Sequence, residues 1–388
     1  MPVWNPVCKV FINGIEYSGD TLADVGITYG KRDQTERFRA SYASISLVSD
    51  GNGLPIGLQE RVTIYLQDSA LSDELIFTGD ISDINIQMLA PDWVQTNLTL
   101  VSPLAHLGRK LVGFNGYSEE YEGERIDAIL FEAGQITWLE AGGTWADQTG
   151  TWLQYESVSG TIDTGLTLLH TYNNDAGFVT DFLNICELSG QGWLYESTDG
   201  KMNYDDIKGR YDRQIALGWE AISPDDVLLS GTQADISSQF TTTAVQVSSY
   251  NDQFTYLGTI NAGVGEFGKL YEDYDTWIKN QLDLETWMKW FLTRFGNDFP
   301  VLSSFTIPLS QLTGVQRDVM IGMTNGLPVQ ITGLPVAISP SAYQGYVEGW
   351  SWRIVQGEAM ITLNISPKQY SYWAASAPGP SNFTFTSL

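Results

Sequence analysis

Residues 346–367, YVEGWSWRIVQGEAMITLNISP, are two runs of alternating apolar and polar residues either side of Gln356-Gly357-Glu358. A period of two sends successive side chains to opposite faces of a strand, and a short glycine-containing break between two such runs marks a hairpin. A looser copy stands upstream, IFTGDISDINI followed by NLTLVSP, between Ile76 and Pro103. The correspondence continues in the same order: Ile45 and Leu47 in SISL are answered by Ile307 and Leu309 in TIPL, Ile56-Gly57 by Ile321-Gly322, and Gly79 by Gly349. Each copy closes on Ser-Pro. The pattern reads as a duplicated β module. The alternative is two unrelated runs of amphipathic strands, since the last strands differ in register by one residue relative to Ser-Pro.

Composition agrees with a β-rich chain. At 388 residues it is long for a single core, so several domains are expected. The 38 glycines, 14 prolines and 12% aromatics favour strands and turns over helical bundles. The formal net charge is −26, from 46 acidic and 20 basic residues. Phosphate binding depends on Lys and Arg releasing counterions, so a nucleic-acid partner held by its backbone is not expected. Surface solubility is the simpler reading of the acidity. Cys8 and Cys186 lie too far apart in sequence for a disulfide framework or zinc ribbon and read as reduced core thiols. No apolar run is long enough to span a bilayer. The opening MPVWNPVCKVFING lacks the basic and apolar regions of a secretory signal, which predicts synthesis and folding in a cytoplasm.

Taken in order, the chain divides into a first β module at 1–104, an α+β middle region at 105–230, a second β module at 231–370 that includes a helix at 277–295, and an extended tail at 371–388. Asn13-Gly14 lies between alternating runs as a hairpin signal. The polar loop GKRDQTERFRAS at 30–41 carries Lys31, Arg32, Arg37 and Arg39, four cations in an acidic chain, and reads as a solvated loop or subunit contact. The five to six strands of the first module are enough to curl into a small barrel. In the middle region, ERIDAILFEAG (124–134) and GFVTDFLNICELSG (177–190) have helical spacing and glycine stops, and Asp199-Gly200 marks a hairpin. Between them Trp138, Trp145 and Trp152 recur every seven residues with glycines in between, which suits short strands. They form either a small packed β layer or an exposed sugar-stacking platform. In the helix at 277–295, Leu284, Trp287, Met288, Phe291, Leu292 and Phe295 make one core or interface stripe before Gly296.

No catalytic signature emerges. His106 and His170 belong to no HExxH or paired H-x-H pattern, and neither GxSxG nor GxxxxGK[ST] occurs. The acidic clusters Asp205-Asp206, Asp225-Asp226 and Glu272-Asp273-Tyr274-Asp275 lack the spacing of a calcium loop. A glycosidase carboxylate pair is not marked out among 46 acidic residues. The sequons at Asn97, Asn364 and Asn382 carry meaning only on a secretory route. No catalytic, cofactor-binding or metal-binding residue is assigned, no cofactor is expected, and the weight falls on a structural role rather than an enzyme.

The order of ERIDAILFEAG, Thr164-Gly165, GWLYESTDGKMNYDD, DLETWMKWFLTRFG and the closing YVEGWSWRI and MITLNISP resembles the tail hub, or baseplate hub, proteins of long-tailed bacteriophages, also called minor tail proteins. The resemblance spans about residues 8 to 370; the tryptophan repeat and the tail after Tyr370 depart from it. It implies a mainly β fold with two related β-barrel tube domains separated by a smaller α+β domain. It further implies a virion protein, a homotrimeric ring adapting a sixfold tail tube to a threefold tip. Its partners would be a tail-tube or distal tail protein on one face and a fibre or tip protein on the other, with DNA passing through unbound. A glycan- or receptor-binding β protein of the tail tip is the competing expectation.

Overall fold

The computed structural model describes the chain apart from residues 1–3, 19–21, 33–35, 51–53, 138–152, 156–157, 174, 223–232, 236–241, 250–254, 261–269, 297–300, 337–338, 340–341, 375–382 and 388. The first module supplies seven strands: β1 (Cys8–Ile12), β2 (Ile15–Ser18), β3 (Leu22–Gly30), β4 (Tyr42–Asp50), β5 (Arg61–Gln67), β6 (Asp73–Ala90) and β7 (Trp93–Val101). Their order is β3-β4-β7-β6-β5-β1-β2, every pair antiparallel. Alternation decides the inward face: Val25 and Ile27, Ala43 and Ile45, Val62 and Ile64, and Leu98 and Leu100 are all buried. At the β1–β2 turn Asn13 and Gly14 both have positive φ, as a two-residue hairpin of this kind requires.

The second module repeats this arrangement. The strands Val301–Pro308, Pro328–Ile331, Tyr343–Val355 and Glu358–Pro367 follow one another as β4 to β7 do, and pair in the same antiparallel order, 301–308 to 358–367 to 343–355 to 328–331. A short strand, Gln233–Asp235, flanks Val301–Pro308 antiparallel, as β3 flanks β4. The ladders also fix which residues correspond. Ile81 pairs with Leu100, Ser82 is bulged out, and Ile84 and Ile86 face Leu98 and Thr96. Val347 pairs with Ile365, Glu348 is bulged out, and Trp350 and Trp352 face Leu363 and Ile361. The bulge therefore falls at the same place in both copies, and a bulge is a built feature that bends a strand and redirects a side chain. Two sequence correspondences shift accordingly. Gly79 answers Gly345 rather than Gly349, and both approach a carbonyl of the neighbouring strand, Val101 and Ser366, where a Cβ would come within 2.6 and 2.4 Å. Ile45 and Leu47 answer Phe305 and Ile307, which occupy their ladder positions.

The copies differ at their ends. β1 lies antiparallel to β5, whereas the strand Glu220–Ile222 lies parallel to Pro328–Ile331. Within one chain they join edge to edge, because Gly349–Val355 pairs antiparallel with Asp24–Gly30 of β3. Among the described residues the result is one 13-stranded sheet that does not close on itself, with a single hydrophobic core drawing on both modules. Stacking of Tyr29 on Trp350, centroids 5.0 Å apart, crosses the seam.

The intervening segments form two smaller cores. Helices α1 (Pro103–Leu107), α2 (Glu122–Gly134) and α3 (Val179–Gly190) pack with the hairpin Trp193–Glu196 and Met202–Asp205 around Ile126, Ile129, Leu130, Phe182, Leu183 and Cys186. Helix α4 (Gly209–Leu217) follows, although no periodic signal had marked it. Inserted between Gln233–Asp235 and Val301–Pro308, the strands Ala244–Ser248, Thr255–Ile260 and Tyr271–Asp275 form a sheet covered by α5 (Gln281–Phe295), with Leu284, Trp287, Met288 and Phe291 inward. The helix expected from 277 begins at Gln281, since Asn280 is extended and caps it by accepting the Asp283 N–H at 2.9 Å. The tail is tied down where Phe383–Ser387 adds a strand to Thr255–Ile260. A sixth helix, α6 (Gly314–Ile321), opens on a capping box from Thr313 and Gln316 and occupies sequence read as part of the β module.

Candidate functional site

The residues that sequence reading weighed for chemistry are dispersed and engaged in packing. His106 is about half exposed on α1, its Nε2 3.5 Å from the Asp80 carboxylate. His170 is elsewhere, its backbone N–H donating to the Trp277 carbonyl at 2.8 Å, and desolvation followed by the nearby Lys279 charge lowers its pKa. Cys8 and Cys186 are buried free thiols, their pKa values pushed up by desolvation, so neither is a poised thiolate. Asp205 pairs with Arg213 at 2.6 Å, and Asp206 accepts the Lys208 N–H at 2.8 Å at the entry to α4. Burial raises the pKa of both. Glu272, Asp273 and Asp275 lie on the edge strand Tyr271–Asp275. Among the described residues no group of three His, Cys, Asp or Glu side chains converges to hold a metal. No described helix is long and apolar enough to cross a membrane. Asn97 accepts across the sheet from the Ser46 hydroxyl and, along its own strand, from Gln95 at 2.9 Å, while Asn364 donates to the Lys31 carbonyl at 3.3 Å. Asp225-Asp226, Asn382, Trp138, Trp145 and Trp152 lie outside the described residues.

The strongest polar cluster instead lies where the two β modules meet the middle region. The bulge turns Glu348 out of its strand and against Arg210 of α4, which binds it with both terminal nitrogens, Nη2 to Oε2 at 2.7 Å. Both side chains are fully buried. The Arg210 guanidinium lies 4.2 Å from the Trp193 ring centroid, and Arg294 of α5 approaches the same ring at 5.3 Å. Desolvation, then repulsion from Arg210, lowers the Arg294 pKa to about 9. The Glu348 carbonyl accepts from the Lys31 N–H at 3.0 Å and from Asn325 Nδ2 at 2.7 Å. Lys31, expected in a solvated loop, is buried instead and reaches Glu187 of α3 at 2.6 Å, because the end of β3 runs under the middle region. A cleft of about 1020 Å³ opens beside it, lined by Lys31, Arg37, Glu187, Gln191 and Arg294 among others.

This arrangement clamps and orients. At its centre Arg210 is held by Glu348 and Lys31 by Glu187, while Arg294 donates to the Tyr372 carbonyl at 3.2 Å. The sequence signal for it was an acidic residue inside the apolar run YVEGW, at a position where alternation calls for a buried side chain. A second buried carboxylate works locally: Glu122 at the start of α2 accepts the Leu166 and Thr167 N–H groups at 2.9 and 2.7 Å. Burial nevertheless pushes its pKa up to about 7.

One group of exposed apolar side chains lies on strands. On β6 and β7 the side chains of Ile86, Met88, Leu89 and Trp93 project from the far half of the hairpin. Sequence reading had counted these strands as part of a barrel.

No family model matches this chain, and no curated protein matches it. Among solved structures, the fold is shared with the 43 kDa tail protein of prophage MuSo2 from Shewanella oneidensis, at 10% identity and a TM-score of 0.61, over 94% of this chain and 99% of that one. It is shared too with the tail protein from Neisseria meningitidis MC58, at 10% identity and a TM-score of 0.59, over 95% and 98% of the two chains. Both are described as tail proteins, and both matches span nearly the whole of each chain.

Proposed function

We propose that this chain is a structural subunit of a phage-type tail, a hub of which three copies set six related β units in a ring. The observation that carries the reading is the internal repeat, five strands in the same pairing order with the bulge at Ser82 in one copy and Glu348 in the other. Closed oligomers of identical subunits follow point-group symmetry, so a threefold ring of a doubled unit is pseudo-sixfold and can lie coaxially against a sixfold tube. Residues 1–104 and 231–370 are then the two tube-type units, each completed into a barrel wall by its neighbours, with 105–230 as the smaller α+β domain. The likeness in fold to two tail proteins supports the same reading.

In this reading the partners are a tail-tube or distal tail protein on one face and a fibre or tip protein on the other. The location is the distal tail of a virion and the role is structural rather than enzymatic. A net charge of −26 suits a channel wall, since like charge keeps passing DNA from adhering. The test is averaged end-on images of the purified assembly. Six lobes modulated with threefold symmetry support the hub; a ring of another order, or a particle without rotational symmetry, contradicts it.

A further inference from the structure

We propose that the outer edge of β6, from Ser82 to Ala90, is completed by the strand Gln233–Asp235 of a second copy of this chain, in the antiparallel manner in which Gly349–Val355 is completed by β3 within one chain. The proposal deepens the hub reading and rests on it, naming the surface through which the copies meet.

The argument starts from matched edges. In β6 the side away from β7 pairs with β5 only as far as Asp80, the partner of Arg61. Ile81 still exchanges backbone hydrogen bonds with Gln59 and Glu60, at 2.8 and 3.1 Å, and beyond it Ser82 to Ala90 pair with no strand on that side among the described residues. In the second module the same side of Tyr343–Val355 pairs with Pro328–Ile331 only as far as Tyr346, and then β3 takes over from Gly349. One copy of the repeat thus has its neighbour and the other lacks it. The missing strand has a counterpart in this chain. Gln233–Asp235 stands to Val301–Pro308 as β3 stands to β4, and it ends the sheet, its other edge without a partner among the described residues. The two edges left open are the equivalents of the two that join inside the chain.

Burial points the same way. Trp352 and Ile354, shielded by β3, are 3% and 4% exposed, whereas their ladder equivalents Ile86 and Met88 are 68% and 74% exposed. Two apolar side chains on the inward face of a long unpaired edge are a template for another strand. The register follows as well. Trp352 lies opposite Ile27, and Ile27 lies opposite Ala43. Ala234 holds the place of Ile27, since it faces Leu302, which pairs with Ile365 as Ala43 pairs with Leu100. Ile86 of one copy is therefore set opposite Ala234 of the next. Each copy offers one edge of each kind, a head-to-tail contact that closes when the rotation per copy is a third of a turn.

Directly opposed Cα atoms in an antiparallel ladder are about 4.5–5.5 Å apart, within reach of a disulfide. The experiment mixes the single variants Ile86→Cys and Ala234→Cys under mild oxidation, and separately oxidises the double variant, alongside the native mass of the unmodified protein. The proposal expects covalent dimers from the mixture, covalent species ending at the trimer from the double variant, and none from either single variant alone. A ladder running past three upholds the edge pairing and contradicts the ring. A trimeric native mass without cross-links overturns the edge pairing and leaves the hub reading standing. A monomeric mass at all concentrations without cross-links overturns both. As a second variant, Ile86→Asp with Met88→Asp is expected to abolish the trimer with the monomer's Tm unchanged, since both side chains are exposed in the single chain; an intact trimer counts against the proposal.

Discussion

Gly30 and Gly349 are register partners at the seam between the two β modules. A Cβ on Gly30 would lie 2.4 Å from the Glu348 carbonyl oxygen, and one on Gly349 would lie 2.5 Å from the Tyr29 and Lys31 carbonyl oxygens. Gly30 also has φ +70°, a conformation that favours glycine. The backbones can approach this closely only because neither residue has a side chain, and the approach brings Tyr29 onto Trp350.

Gly349→Ala is accordingly expected to lower stability by about 2–4 kcal/mol, through backbone strain and separation of the seam. Because one core draws on both modules, the loss appears as a lower midpoint of a single urea transition. Separate unfolding of the two β modules in the unmodified protein would contradict the shared core.

Glu348→Ala leaves Arg210 buried without its carboxylate, and the expected loss is about 3–5 kcal/mol. Replacing the pair together, Glu348→Met with Arg210→Met, is expected to be much milder, since the uncompensated charge disappears. A double-mutant cycle by denaturant titration checks this, and additive effects would show that the two groups are not coupled.

Glu122 gives a pH signature. Its folded pKa of about 7 lies above the ordinary 4.5, so between those values the native state holds a proton that the unfolded chain has released. Its contribution is complete below pH 4.5 and is lost as pH rises through 7, on the order of 3 kcal/mol. Comparing urea midpoints of the unmodified protein and Glu122→Gln across this range should show a steeper fall with pH in the former, since the raised carboxylates Asp205 and Asp206 titrate in both. Identical profiles would refute the assignment.

Local patterns were legible in the sequence because they depend on neighbours in the chain. The 343–355 and 358–367 hairpin, the Asn13-Gly14 turn and helices α2, α3 and α5 all follow from periodicity, turn residues and glycine stops. The duplication was visible too, but its residue correspondence was not. Bulges at Ser82 and Glu348 move the ladder by one residue and pair Gly79 with Gly345, and a bulge leaves no fixed trace in composition. Helix α4 escaped because its apolar residues Ile215 and Leu217 are exposed and its one deeply buried side chain is Arg210. The Lys31–Glu187 and Arg210–Glu348 pairs join positions 156 and 138 residues apart, a separation that local patterns do not encode.

The central claim is that three copies of a doubled β unit make one ring. Native mass measurement of the purified protein tests it most directly: the account predicts a species at three times the 43.0 kDa chain mass, and a discrete assembly of two, four or five chains would contradict it.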